Sequence, residues 1–506
     1  MKPINLRRRR NLLTSPLFRL PTELILKIFE LAIEIEPEKK MPVAFTLTAV
    51  CHQLREIGIA SPQLWDTVDL TYPSLAELLL ERCKYDPRVL VMSRGRGSLI
   101  RREAVWEQLG GRTFNNLRSI VFEGPPHELT HKVTGVLQRA PNISNLDLHN
   151  TQTHHDMESI LPRGPMPNLS ALRLSGFAIG WTSPLLRNLC HLTLVLDLHL
   201  PTEGTSFEGF FIFALANCPG LEVLGLTYNR PGVFTSDDED DGDDEDDDED
   251  DGDVVVQLHN LRTLSLEFRD PSGVAYTLSR IVYPGSTVVD VHVETRQGCH
   301  LSETISQVLS HRNVETLQHL RKSATLTIHL IGQPYLSADN FHIHIRSARC
   351  ASRFGWTQPQ VVSDFASKIV EVVGGDAVTS LDIQTLFPYL LDGLWRTFLR
   401  GLPQLERIRY GWGGGVEPFL SVFSEPFEGG LLCPNLQHLE LPRGVLTDGP
   451  SVALLRRALT ERDACGRRLK RLGLSDDEMS KLSCDETEVD DRLVLESFRD
   501  LVDEVE

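Results

Sequence analysis

A seven-residue phrase recurs along most of this chain. In "NISNLDL", which begins at Asn142, apolar residues fill the second, fifth and seventh places. The same spacing returns at 116 (NLRSIVF), 168 (NLSALRL), 188 (NLCHLTL), 220 (GLEVLGL), 260 (NLRTLSL), 404 (QLERIRY), 435 (NLQHLEL) and 468 (RLKRLGL). Its first apolar positions, 117, 143, 169, 189 and 221, lie 26, 26, 20 and 32 residues apart, and the later trio 405, 436 and 469 lies 31 and 33 apart. The alternation at the end of each phrase is that of a strand with one apolar side. One short strand cannot bury that side alone, so each unit must lie against the next. Between phrases, "VTGVLQRA", "FFIFALAN" and "LWRTFLRG" read as helices, and Pro141, Pro219 or Pro403 stands between each and the next phrase. A helix closed by Pro and followed by a strand gives a βα rhythm, hence an α/β fold.

The L-x-x-L-x-L pattern at this period resembles the leucine-rich repeat, which implies a solenoid of stacked strand-and-helix units. Unequal unit lengths make the expected solenoid irregular, over 116–475, with a connecting segment at 71–115. Between 270 and 400 the phrase fades, while "STVVDVHVE", "SATLTIHLIG", "NFHIHIRS" and "TSLDIQ" still read as strands and "AYTLSRIV" and "TISQVLS" as helices. This part either continues the solenoid, the reading we favour, or forms a distinct insertion. At 476–506, Val494, Phe498, Leu501 and Val505 have helical spacing, with Asp490 or Asp491 placed to cap the helix and close the array.

The net charge of −19 is local. Of 70 acidic residues, 15 lie between Asp237 and Asp253, which leaves the remainder near neutral at −4. The terminal segment 476–506 holds 13 acids against 3 bases, and the arm 1–16 carries Lys2 and Arg7–Arg10. A neutral body argues against a nucleic-acid partner, which normally meets a basic face. The acidic tract cannot fold alone and reads as a disordered loop, 235–253, extruded from one unit. The nine cysteines contain no CxxC pair, a usage that fits a reducing cytoplasmic or nuclear compartment. No apolar run reaches the ~18 residues that cross a bilayer, and the basic arm lacks the apolar core of a secretory signal, so no membrane partner is expected.

At the N-terminus, "LFRLPTELILKIFELA" places two apolar stripes on one helix. Leu24, Ile28, Leu31 and Ile35 form one; Ile25, Phe29 and Ala32 form the other. A second helix is expected over 43–60, with Leu47, Val50, Leu54 and Ile57 on one face, before "SPQLWDTVDL". A unit this small has no core for two-sided helices, so one side packs internally and the other meets a partner. The ordered blocks Leu20-Pro21, Glu23-Leu24, Ile28-Phe29, Val50-Cys51, Leu54-Arg55, then Pro62, Leu64 and Trp65, resemble an F-box over 17–70. An F-box ahead of degenerate leucine-rich repeats is similar to the large fungal F-box families. The resemblance implies an all-helical domain that docks on a Skp-type adaptor, and through it a cullin ubiquitin ligase. Leu20, Pro21, Leu24, Ile28, Val50, Cys51, Leu64 and Trp65 are then the adaptor contacts.

Catalytic and metal motifs are sparse. "HHD" at 154–156 falls in a polar loop, "HIH" at 342–344 alternates on a strand and reads as one face of a sheet, and "GWGGG" at 411–415 reads as a turn. HExxH, GxSxG and GxxxxGK[ST] do not occur. The reading is therefore of a non-enzyme without cofactor or metal. The residues between the phrase's apolar positions form the expected target-binding surface: Asp147, His149, Arg173, Glu267, Arg409 and Glu440, with Tyr410 and Trp412 as aromatic anchors. The expected function is substrate receptor of a Skp-cullin-F-box ligase with an unknown target protein. The rival is a non-ligase acidic repeat scaffold that binds basic partners such as histones through Asp237–Asp253.

Overall fold

The computed structural model describes residues 16–35, 43–93, 105–107, 109, 112–125, 133–150, 166–176, 183–196, 212, 214–228, 254–295, 301–309, 320, 322, 325–330, 335–338, 341–347, 359–385, 391–411, 416–425, 430–442, 449–475 and 491–505. The expectations for the basic arm before Pro16, the acidic tract, Trp412 and residues 476–490 lie outside them. The architecture is mixed α/β with parallel sheets. The chain divides into two compact units, Met1–His191 and Leu192–Glu506.

The first unit opens with the helices Thr22–Ile35, Val43–Val50 and His52–Ala60, followed by a short 3-10 turn at Pro62–Trp65. The single helix expected over 43–60 is two. Cys51 is fully extended (φ −155°, ψ 168°) and its carbonyl accepts from Arg55 N at 3.0 Å, so it starts the next helix instead of continuing the last. The break separates Val50, which faces solvent, from Leu54, which is buried. Gly58 lets these helices touch, because a Cβ there would stand 2.3 Å from Thr48 Cγ2.

Five strands follow: β1 (Thr67–Asp69), β2 (Val89–Met92), β3 (Ser119–Gly124), β4 (Asn145–Asn150) and β5 (Ala171–Ser175). They pair in chain order and in parallel, so Val68, Leu90, Ile120, Leu146 and Leu172 form one continuous buried row. The helix Pro73–Arg82 packs against β1 and the 3-10 turn. The helix expected at 133–140 shrinks to Thr134–Leu137. β6 (His191–Leu196) contains the boundary between the units.

The second unit contains β7 (Val223–Tyr228), β8 (Val256–Gln257), β9 (Thr263–Phe268), β10 (Ile281–Val282), β11 (Val288–Thr295), β12 (Thr325–Leu330), β13 (Tyr335–Ala338), β14 (Phe341–Ser347), β15 (Ser380–Thr385), β16 (Arg407–Gly411), β17 (His438–Pro442), β18 (Leu469–Ser475) and β19 (Val502–Val505). β8 and β10 form a separate parallel pair. In the main sheet β7, β9 and β11 are parallel neighbours, and β11 pairs next with β14. β14, β13 and β12 form an antiparallel meander, after which β12, β15, β16, β17, β18 and β19 run parallel. Among the described residues of 270–400, β11 to β15 belong to the main sheet; the reversed strand β13 and the helix Pro359–Val373 were not foreseen, and Ile281–Val282, expected at the end of a helix, pairs with β8 instead. Helices Pro271–Arg280, Leu301–Val308, Pro359–Val373, Leu391–Gly401, Glu417–Phe423 and Gly449–Ala464 connect the strands and pack successively on one another.

One hydrogen-bond pattern fixes the phrase. The carbonyl just after its first apolar residue accepts the two amides that open the next strand. Arg118 O accepts from Ser144 N (2.8 Å) and Asn145 N (2.9 Å), Glu222 O from Arg262 N (2.7 Å) and Thr263 N (3.1 Å), and Glu406 O from Gln437 N (2.8 Å) and His438 N (2.9 Å). The Asn that opens several phrases reaches back to the preceding unit. Asn142 Nδ2 donates to Asn115 O at 2.9 Å, Asn168 Nδ2 to Pro141 O at 3.0 Å and Asn260 Nδ2 to Pro219 O at 3.3 Å.

The chain's end departs from the expected helix. It is helical only over Asp491–Glu496, and β19 then pairs with β18. Two arginines hold this segment extended: Arg456 Nη2 donates to Ser497 O at 2.6 Å, and Arg468 Nη2 to Val502 O at 2.8 Å. Leu495, Phe498 and Val502 are its buried residues.

Candidate functional site

Over its described side chains the first helix shows an outer and an inner apolar stripe; Ala32 of the inner one is half-buried, and the side chain of Ile35 lies outside the described residues. Ile25 and Phe29 are each 1% exposed, while Leu24 is 51% exposed and Leu20, Ile28 and Leu31 also face solvent. Pro21 precedes the first turn, where it needs no amide, and its carbonyl accepts from Leu24 N (3.1 Å) and Ile25 N (3.2 Å). Val50, at the end of the next helix, is 68% exposed. Cys51 is half-buried. Scattered apolar side chains on a surface mean little, but a row along one helix face with its opposite row in the core makes this face a candidate surface.

Leu64 and Trp65 do not belong to that surface. Both are buried, Trp65 to 1% exposure. Its Nε1 donates to Gly58 O at 2.8 Å, the Phe45 ring meets its edge at 5.0 Å, and the Arg82 guanidinium lies 4.1 Å over its face. The indole thus ties the helical segment to Pro73–Arg82. Trp65→Ala should destabilise the first unit by about 3–5 kcal/mol, the usual cost of emptying so large a site. Chemical denaturation followed by far-ultraviolet circular dichroism would read this, and a loss below about 1 kcal/mol would contradict the anchoring role.

The expected target-binding residues fall in separate places on the polar sides of the sheets. In the first unit Asp147 and Arg173 are opposite each other in β4 and β5, with Oδ1 and Nε 4.0 Å apart, and His149 follows on the exposed side of β4. Burial pushes the Asp147 carboxyl up despite the nearby Arg173. In the second unit Glu267 accepts from Thr227 Oγ1 at 3.4 Å. Arg409 lies between Asp382 (3.6 Å) and Glu440 (3.7 Å), and Arg407 also pairs with Glu440. Asp382 was missed in the sequence because only the β15–β16 register brings "TSLDIQ" beside "RIRY".

Tyr410 is not a surface anchor. It is 0% exposed, its ring centroid lies 5.4 Å from that of Trp395 and 6.1 Å from that of Phe419, and burial pushes its phenol well above the ordinary range. It occupies the last apolar place of its phrase, so it points inward like the leucines.

Burial raises the thiols of Cys218 and Cys433 to about 12 and also raises that of Cys83, so these thiols stay protonated at neutral pH. Among the described residues no three His, Cys, Asp or Glu side chains have gathered to hold a metal ion, and no helix is long and apolar enough to cross a membrane.

No family model matches this chain, and no curated protein matches it. Its two candidate surfaces, the apolar helix face and the charged sheet faces, are therefore read from their own geometry.

Proposed function

We propose that the chain is a substrate receptor that docks on a Skp-type adaptor of a cullin ubiquitin ligase and presents a target protein through its sheet faces. The observation that carries this reading is the outward apolar row Leu20, Leu24, Ile28 and Leu31, backed by the buried Ile25 and Phe29. The row coincides with the residues that resemble an F-box. The recurring strand phrase supports the leucine-rich-repeat part of the proposal, with several units hydrogen-bonded to their predecessors at the equivalent carbonyl. In this arrangement the array acts as a recognition platform, and the ubiquitin chemistry belongs to other subunits.

The test is co-purification of the full chain with a Skp-type adaptor. Leu24→Asp with Ile28→Asp should abolish it, because two carboxylates would have to be desolvated in an apolar interface. Both side chains already face solvent, so the double variant should retain the parent thermal transition. An adaptor that ignores the wild-type chain, or binds the folded double variant equally well, would falsify the proposal.

A further inference from the structure

In the first unit the carbonyls that accept paired amides belong to Asp66, Arg88, Arg118, Ser144 and Ser170. These residues stand side by side along the rim where the strands begin. Arg88 and Arg118 are neighbours in that row and both are exposed, with Arg118 N donating to Arg88 O at 2.8 Å. Adjacent strands are ~4.8 Å apart, so two cationic side chains start from next-door positions. Like charges so placed weaken a sheet. Asp66, beside Arg88, is the one carboxylate of the row and is itself half-buried. Arg118 is held along the rim, since its Nη1 donates to Asn142 O at 3.2 Å.

Two more cations come to the same place. The connection 83–88, which enters β2, carries Lys84, and the connection 112–118, which enters β3, carries Arg112; both side chains are exposed. Side-chain contacts tie the two connections together. Asp86 accepts from Asn116 N at 3.1 Å and from Asn116 Nδ2 at 2.6 Å, and the Arg112 guanidinium lies 4.2 Å over the Tyr85 ring. Lys84 and Tyr85 are both left-handed, at φ +58° and +59°, a backbone that non-glycine residues keep only where their surroundings hold it. Within these connections Asp86 is the only carboxylate against Lys84, Arg88, Arg112 and Arg118, and it is engaged by an uncharged amide.

We propose that this rim, built on Lys84, Arg88, Arg112 and Arg118, docks a carboxylate-rich segment of a partner protein. Charge complementarity selects an acidic occupant, and guanidinium groups grip carboxylates through paired N–H donors. A nucleic acid does not match the same surface. Single strands are held by stacking on open aromatic faces, and the Tyr85 face carries Arg112. A duplex needs a broad basic face, which a near-neutral body does not offer. The rim shares no residue with the outer row of the first helix, so it does not rest on the adaptor reading.

The test titrates the full chain into a fluorescein-labelled polyglutamate peptide and follows anisotropy, with no adaptor present. Binding should saturate at low salt and weaken as the Debye length shrinks from roughly 30 Å at 0.01 M to about 8 Å at 0.15 M. Arg88→Glu with Arg118→Glu should weaken it at least about tenfold, because two attractions become repulsions. Arg187→Glu with Lys322→Glu changes the net charge equally at exposed cations elsewhere in the chain, and should bind as the parent does. Arg88→Gln with Arg118→Gln replaces the reversed pair if that variant loses its thermal transition. Three results would each overturn the site: no saturable binding at low salt, parental affinity in the folded double variant, or tighter binding of a labelled single-stranded oligouridine than of the peptide.

Discussion

Leu264→Asp should remove the cooperative thermal transition of the second unit. Leu264 is fully buried in β9, in register with Leu224 of β7 on one side and Val289 of β11 on the other, both buried as well. The substitution discards a leucine's packing, about 2–5 kcal/mol, and forces a carboxyl group into an apolar row. Desolvating the ionised form costs several kcal/mol more, so the group stays protonated in the folded state. Together these approach the whole stability of an ordinary domain, roughly 5–15 kcal/mol. The pH dependence has a definite sign. A carboxyl whose folded pKa is raised binds its proton more tightly in the folded state, so the damage grows as pH rises above the unfolded value of about 3.9 and is least in acid. Thermal scans by circular dichroism at pH 4.5 and pH 7.5 would read both effects. A Leu264→Asp transition within a few degrees of the parent at neutral pH would mean that the β7–β9–β11 register is wrong.

Arg462→Leu should be nearly as damaging, for a different reason. The guanidinium is 2% exposed at the end of the helix Gly449–Ala464. Nη1 donates to Leu432 O at 3.0 Å, and Nη2 donates to Cys433 O at 2.9 Å and Leu436 O at 3.3 Å. The Phe423 ring lies 5.4 Å from its central carbon. These contacts hold a turn in which Cys433 has φ +47°, a left-handed conformation that non-glycine residues rarely adopt. Burial lowers the pKa of Arg462, but a guanidinium remains charged throughout the accessible range. Leucine would fill much of the volume and remove the guanidinium donor from the Leu432 and Leu436 carbonyls, while Cys433 O would keep only Leu436 N at 3.1 Å. No compensating substitution can remove carbonyls, so the rule that buried ion pairs can be replaced by apolar residues does not apply here. At about 1–3 kcal/mol for each orphaned acceptor, partly relieved by water, the loss should be about 3–5 kcal/mol. Arg462→Lys should fall between, since one ammonium cannot span three carbonyls. Urea denaturation of the three proteins would rank them, and equal midpoints for parent and Leu variant would refute the clip.

What the sequence made legible follows from which interactions are local. The phrase predicted strands at the right places because its alternation reports burial directly. The two stripes of the first helix likewise came straight from spacing. Tyr410 was misread although its position in "RIRY" is an inward one; the phenol suggested a surface role, but position decides burial before chemistry does. Trp65 carried a similar lesson, since the largest apolar side chain of a small helical unit serves its interior first. The break at Cys51 has no breaker residue to announce it. The reversed strand β13, the Asp382–Arg409–Glu440 grouping and the approach of His292 to β14 all depend on register between distant segments. No window of sequence contains that information. β19 was hidden because Leu501 and Val505 also fit a helical stripe with Val494 and Phe498, and the arginines that decide between helix and strand are some 30 to 40 residues away.

The carbonyl that receives two amides has a consequence for how such a chain can lengthen. Because alignment is re-established at the opening of many strands, an error or an addition in one connection is not passed to the next. The array keeps count by phrases and is indifferent to the number of residues between them. That accounts for neighbouring phrases separated by 20 residues in one place and 32 in another. It also explains how the 15 acidic residues of Asp237–Asp253 can interrupt the chain between β7 and β9 while those strands remain aligned residue for residue. The cost of a longer excursion grows only with the logarithm of its length, so the connections are free to diversify while the sheet stays in step.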